Sequence, residues 1–310
     1  MNFDLSPDER ALQDAIRELC ARRFAPADLR AEGMSAGRWG ALEEAGVFTL
    51  RVPEDDGGLG LGMTHAVVAF EDLGRALVPG PIVETHVARA HGVPAPTSGL
   101  IERAAPTIDH FEHLLAIVVL DAGGAARLEP SDVEVEPVEA PLDPFTPAHR
   151  IVSLGDGERV GGPDVASRMR AEATMLTAAM LTGIAAATTD AAVAYAKERE
   201  QFGKPIGAFQ AVKHLCADMY VRMEVARAAV YAAACVLDDP AGDDGARAVA
   251  GAKLLAGEAA VANGKTSIQV HGGMGFTWEV DQHLYLKRAA VLRNAFGGTH
   301  AHEEAMAACL

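Results

Sequence analysis

The chain has 310 residues, 49% hydrophobic and 5% aromatic, with 27 Lys+Arg against 43 Asp+Glu and a formal net charge of −16. That length supports a sizeable core, in one large domain or two to three smaller ones. The acidic excess repels polyphosphates, so broad-surface nucleic acid binding is excluded and any phosphate ligand must be met by a local site.

Cys20, Cys216, Cys235 and Cys309 stand far apart with no CxxC pair, and none of the eleven histidines falls in an HExxH. The pattern fits a reduced cytoplasmic chain without a metal site. The N-terminus carries acid where a secretion signal has a basic and then apolar run. Between Glu172 and Asp190 the chain has no charge. A membrane span needs about 20 strongly apolar residues, whereas this run is mostly Ala, Thr, Met and Gly, which suits a helix buried in a bundle.

In chain order, Ser6-Pro7-Asp8-Glu9 is a capping box with proline at the first helical position, and Leu12, Ile16, Leu19 and Cys20 then share one face. A second short helix carries Trp39 and Leu42 and ends near Gly46. The breakers of Val52–Gly60 exclude regular structure there. A third helix runs from about Thr64 to Leu77. From Pro79 to about Gly162 prolines multiply, and Leu114–Leu120, Val133–Val138 and Arg150–Leu154 read as strands of a small β region with three or four strands. After Val165 the chain is helical, with breaks at Phe202–Pro205, Asp238–Asp244, Gly272–Gly275 and Gly297-Gly298. Val165–Arg199 and Ala208–Leu237 are expected antiparallel in a bundle. The fold class is mostly α with a small β region: a helical domain over 1–80, a reduced β domain over 81–162 and a helical bundle over 163–310.

Two islands carry chemistry. Arg199-Glu200-Gln201-Phe202-Gly203-Lys204-Pro205 with Gln210 supplies a guanidinium, amides and an aromatic at a helix end, a set able to hold a phosphate and stack a ring. Gln269-Val270-His271-Gly272-Gly273-Met274-Gly275 is a glycine turn open to close backbone approach. Either island alone is as readily a simple turn between helices.

In this order the islands resemble the acyl-CoA dehydrogenase family, whose fingerprint includes Arg-x-x-Phe-Gly, a Gln eight residues after that Phe, and Gln-x-x-Gly-Gly-x-Gly. Val52-Pro53-Glu54, Gly57-Gly58-Leu59-Gly60 and Glu71-Asp72-Leu73-Gly74-Arg75 extend the likeness to the N-terminus. The resemblance implies a helical domain, a β domain and a four-helix bundle. It also implies α,β-dehydrogenation of an acyl-CoA by a glutamate base and FAD, with electrons passed to an electron-transfer flavoprotein or similar acceptor. One subunit's β domain then holds the flavin ring, while its neighbour's bundle holds the pyrophosphate and adenine. The cofactor-binding residues so implied are Arg199, Gln201, Phe202, Gln210, Gln269, Gly272, Gly273 and Thr299.

Two departures matter. The family's glutamate lies in a Tyr-Glu-Gly-Thr stretch nine residues after an arginine, and from Arg288 the count reaches Phe296-Gly297-Gly298-Thr299, so glycine stands at the base. Some members place the base on the first long bundle helix, where this chain has Ala173. Glu172 is about 100° away around a helix, and is read as an exposed or bundle-edge acid in an N-terminal turn. The flavin-ring motif resembling Thr-Glu-Pro-x-Ala-Gly-Ser-Asp has no match between Val78 and Val165, and only Leu142-Asp143-Pro144 and the strand after it resemble the later part of that domain. His271, His300 and His302, Trp39 and Trp278 are read as structural or solvated residues rather than ligand contacts.

The resemblance therefore implies a shortened subunit with no catalytic residue of its own. It shares FAD with a full-length acyl-CoA dehydrogenase partner in a heterotetramer of two large and two small chains, and by analogy acts on a bulky steroid side-chain thioester. Two rivals remain: a homo-oligomeric enzyme using a relocated acid, and a non-enzymatic acyl-CoA-binding or assembly protein.

Overall fold

The computed structural model describes residues 5–239 and 245–309. Ser6 starts α1 (Pro7–Arg23) as a reciprocal cap: its hydroxyl accepts from Glu9 N, and the Glu9 carboxylate accepts from Ser6 N at 2.7 Å. Next come α2 (Pro26–Glu32), which the sequence reading missed, and α3 (Ala36–Glu44), whose Trp39 stacks on Phe48 at 4.6 Å. The breaker-rich stretch holds one 3₁₀ turn, Glu54–Asp56. Then follow α4 (Met63–Arg75) and α5 (Ile82–Ala90).

Helix α4 is buried along most of its length because α1, α6 (Pro163–Glu198) and α7 (Gln210–Asp238) all pack on it. Its contact with α6 is backbone to backbone. A Cβ on Gly74 would lie 2.2 Å from Met180 O, and one on Gly183 would lie 1.8 Å from Glu71 O. The neighbouring acids face other helices: Arg227 and Tyr231 of α7 reach Glu71, and Arg17 of α1 reaches Asp72. Glu71-Asp72-Leu73-Gly74 is thus the seam joining the first helices to the bundle.

The β region has seven strands rather than three or four: β1 (Ser98–Glu102), β2 (Thr107–Asp109), β3 (Ala116–Asp121), β4 (Gly124–Leu128), β5 (Val133–Pro137), β6 (Ala148–Leu154) and β7 (Glu158–Gly161). They form two sheets, ordered β1-β3-β4-β7 and β2-β6-β5, and only the β1–β3 pair is parallel. Ile117 and Val119 of β3 enter the core between the sheets, while Ala116, Val118 and Leu120 join the main core. A strand buried on both faces reads as one apolar run, which is why β3 was visible in sequence. β1, β2, β4 and β7 are short and rich in Gly, Ala and charge, and gave no such signal. α5 lies inside the stretch read as strand and loop.

The chain then runs through α6, a short hairpin of β8 (Glu200–Gln201) and β9 (Lys204–Pro205), α7, α8 (Gly245–His271), α9 (Gln282–Asn294) and α10 (Thr299–Ala307). Of the break expected at Asp238–Asp244, residues 240–244 lie outside the described residues. Helix α6 is long and apolar enough to cross a membrane by length and composition, yet 78% of its most apolar window is buried inside the molecule. Its buried threonines donate back to carbonyls four residues earlier, as Thr177 does to Ala173 O at 2.7 Å, so they need no water. Asn263 of α8 fixes the bundle register. Its Nδ2 donates to Met219 O (2.9 Å) and Thr189 Oγ1 (3.1 Å), and its Oδ1 accepts from Arg222 Nε (2.9 Å).

Candidate functional site

The two sequence islands meet at one end of the bundle. Tyr195, in the last turn of α6, stacks on His271 at the end of α8 with ring centroids 4.3 Å apart, above a small cluster of Ala192, Ala196, Met219 and Val270. Phe202 and Gly203 are the two central residues of the β8–β9 hairpin, with φ of 53° and 74°. Positive φ at both is the signature of the I′ turn that suits the twist of paired strands. A phenylalanine in that conformation is uncommon. Here it leaves the ring 90% exposed, touched edge-on by Phe209 at 6.1 Å.

Around this turn Arg199, Gln201, Gln210, Gln269, Gly272 and Gly273 are all exposed. Among the described residues, the Arg199 guanidinium and the three glutamine amides have no side-chain hydrogen bond or ion pair. Gly272 needs its φ of 61°, but Gly273 has an ordinary backbone and nothing within 4 Å of a built Cβ. Nothing in the chain itself requires glycine at 273. A bare backbone there suits the close approach of an outside group. An unpaired cation, an exposed ring and free amides beside it fit an anionic, ring-bearing cofactor such as FAD.

Thr299 does not belong to this cluster. It is exposed at the start of α10, two residues beyond Gly297. That region is built around Arg288, 3% exposed, whose Nε pairs with Asp143 and whose Nη1 donates to Val78 O at 3.0 Å. The ion pair explains Leu142-Asp143-Pro144: Asp143 ties the β region to α9, and Arg288 holds its carboxyl below the usual range despite burial. Buried Lys253 donates to Leu292 O and Ala295 O, both at 2.8 Å, and caps the end of α9. Phe296 and Gly297 follow with φ of 54° and 107°.

Gly297 lines a cleft of about 570 Å³ together with Pro81, Glu84, Glu102, Ala104 and Asp109. Lys253, which contacts this end, and Gln269, at the other end, are sixteen residues apart on α8, roughly 24 Å at 1.5 Å per residue. The exposed cluster and the cleft therefore sit at different ends of the bundle.

The acids divide differently from expectation. Glu172 is not an exposed acid in an N-terminal turn. α6 begins at Pro163, which places Glu172 well inside the helix, where it is 9% exposed. Burial alone would raise its pKa, but His91 Nε2 (2.9 Å) and Arg51 Nη2 (2.9 Å) donate to it and bring it down to about 2. It does not line the cleft. Glu84 and Asp109, which the sequence reading did not single out, do. Loss of solvent pushes Glu84 up to about 7 with help from Asp109, and pushes Asp109 up to about 6 against the pull of Arg288. No local motif marks them, because α5 was not foreseen and β2 is three residues long.

The histidines and tryptophans also sort out. His271 is buried with Nδ1 2.7 Å from Ser267 O. His300 is exposed, but His302 is buried against the Phe296–Gly297 turn rather than solvated beside it. Trp278 is 64% exposed, with Lys287 Nζ 5.2 Å over its ring, so it is no core residue.

Residues 6–92 match the N-terminal domain, and residues 161–310 the C-terminal domain, of acyl-CoA dehydrogenases. The chain belongs to the acyl-CoA dehydrogenase family, flavin-dependent oxidoreductases acting on acyl-CoA thioesters. It is 34% identical to acyl-CoA dehydrogenase IpdE2 of Mycobacterium tuberculosis, with 91% of each chain covered. It is 40% identical to acyl-CoA dehydrogenase FadE34 of the same organism over 83% of this chain, but spans only 40% of that longer protein. Among solved structures, the ChsE4–ChsE5 complex from Mycobacterium tuberculosis shares the fold with a TM-score of 0.83 at 23% identity, over 99% of this chain and 98% of the other.

Proposed function

We propose that the chain is the shortened subunit of a heteromeric, flavin-dependent acyl-CoA dehydrogenase, and that it lends half of a FAD site to a full-length partner. The observation that carries this reading is the separation of its two regions. The unpaired cluster faces outward, roughly 24 Å along α8 from the chain's own cleft, and the cleft has glycine at the family's base position. When bound, FAD supplies the hydride acceptor. Arg199 would pair with its pyrophosphate, Phe202 would pack on it, and Gln201, Gln210 and Gln269 would donate or accept hydrogen bonds. Gly272 and Gly273 would let it approach the backbone, and Thr299 would contact cofactor from the other end. The partner supplies the glutamate and the ring site, in a complex of two large and two small chains that reduces an electron-transfer flavoprotein or similar acceptor. A bulky polycyclic acyl thioester is the substrate class that the family likeness offers. Co-purification with a partner, with flavin counted per chain, tests the reading.

One observation favours a second reading, a self-sufficient enzyme with a relocated acid. Glu84 lines the same cleft as Gly297 and has a pKa near that of a working base. Under that reading the chain alone is yellow and active, and Glu84→Gln abolishes activity with flavin retained.

A further inference from the structure

A second hollow, a groove of about 620 Å³, shares no lining residue with the cleft. Trp278, just before the start of α9, lines the groove, whereas Asn294 and Gly297, at and beyond the last turn of α9, line the cleft. The 13 residues of α9 put roughly 20 Å between those two ends. Segments 29–34, 110–113 and 144–147 build the rest of the groove, so it forms where the first helices, the β region and the entry to α9 meet. Its apolar lining is Leu29, Met34, Pro144, Phe145, Pro147 and Trp278, whose indole is 64% exposed. An exposed indole beside two prolines is a surface that suits a flat ring.

The polar lining decides the charge of that ring. Arg30 pairs with Asp281, and Glu32 accepts from Arg38 Nη1 at 3.1 Å, so both charged groups on the groove are already matched. Lys287 stands over the Trp278 ring but does not line the groove. A charged ligand would have to break one of these pairs or enter unpaired, and a neutral one disturbs neither. His110, 6% exposed, borders the groove and also a chamber of about 40 Å³ beside the cleft. Its ring nitrogens have no hydrogen-bond partner among the described residues and are not closed off from the space around them. Burial holds its pKa down to about 3, with Arg288 and His113 pushing the same way, so the ring is neutral and offers one donor and one acceptor. A hydroxyl, itself both donor and acceptor, satisfies either tautomer.

We propose that this groove binds a neutral aromatic ring carrying a hydroxyl, with the ring against Trp278, Pro144 and Pro147 and the hydroxyl toward His110. The site lies within this chain, outside the cleft, and does not depend on the shared-flavin reading.

Calorimetric titration of the purified protein at pH 7, with its partner if the two co-purify, uses 2-naphthol as the probe. Three molecules of like size serve as controls: 2-naphthoate, 2-naphthylmethylammonium and 2-methylnaphthalene, which has no hydrogen-bonding group. The naphthol should bind saturably, at least tenfold tighter than either charged molecule and at least threefold tighter than the hydrocarbon. Trp278→Ala, at an exposed position, should weaken naphthol binding at least tenfold without changing the melting temperature, and Trp278→Phe should restore it to within threefold of the parent. No saturable naphthol binding overturns the proposal. So does binding of a charged molecule or of the hydrocarbon as tight as that of naphthol, or naphthol binding left unchanged by Trp278→Ala, which would place the ligand elsewhere.

Discussion

Replacing Glu172 with glutamine separates a structural acid from a catalytic one. The side chain is held by Arg51 and His91, and its pKa falls from 4.5 to about 2. At about 1.36 kcal/mol per pKa unit, that shift corresponds to roughly 3 kcal/mol of folding stability. The carboxyl is depressed in the folded state, so the contribution is fully present above about 4.5 and disappears as pH falls toward about 2. Glu172→Gln also leaves Arg51 and His91 facing a neutral amide, which costs a further part of the pairing energy. Thermal melts at pH 7 should show a fall of roughly 5–10 °C, and the gap between parent and variant should narrow as pH approaches 3. In the assembled complex at 25 °C, turnover should stay within about threefold of the parent. A loss of ~10²-fold or more with an unchanged melting temperature would refute the reasoning and make Glu172 a base.

Gly297→Glu should not create an active chain. Its φ is 107° and a Cβ would lie 3.0 Å from His302 Nε2, so the side chain costs about 1–2 kcal/mol in backbone strain, and the isolated variant should melt lower and show no acyl-CoA dehydrogenation. Gly183→Ala should destabilise by about 1–3 kcal/mol or more in urea unfolding, because its methyl group meets Glu71 O. Gly40→Ala on α3, with open space around it, should be neutral or stabilising by up to about 1 kcal/mol. Arg199→Ala should weaken FAD binding to the assembled complex roughly tenfold or more, read by flavin fluorescence during dilution, with the melting temperature of the chain unchanged because the Arg199 side chain has no partner among the described residues.

Local signals explain what was legible in the sequence. The capping box at Ser6, the glycine breaks and the long alanine-rich runs each act within a few residues, and α1, α6, α7 and α8 follow them closely. The Arg199–Gln210 and Gln269–Gly273 islands were legible as motifs, but their meeting depends on Tyr195 stacking on His271 across 76 residues of sequence. The helical register set Glu172 apart from Ala173 but misjudged its burial, since its partners come from positions 81 and 121 residues away. Glu84 and Asp109 were invisible for the same reason: they come from α5 and from β2, which is held by its pairing with β6, and only the tertiary fold places them on one cleft. The short strands β1, β2, β4 and β7 take their place from neighbours rather than from their own composition.

The flavin count tests the shared-site reading most directly. The chain is purified once alone and once with a co-expressed full-length acyl-CoA dehydrogenase partner, and FAD is measured per chain by absorbance after denaturation. The account predicts a colourless protein alone and one FAD for each pair of unlike chains in the complex, with that FAD held roughly tenfold or more weakly on Arg199→Ala. One FAD per copy of this chain in the absence of any partner would contradict it.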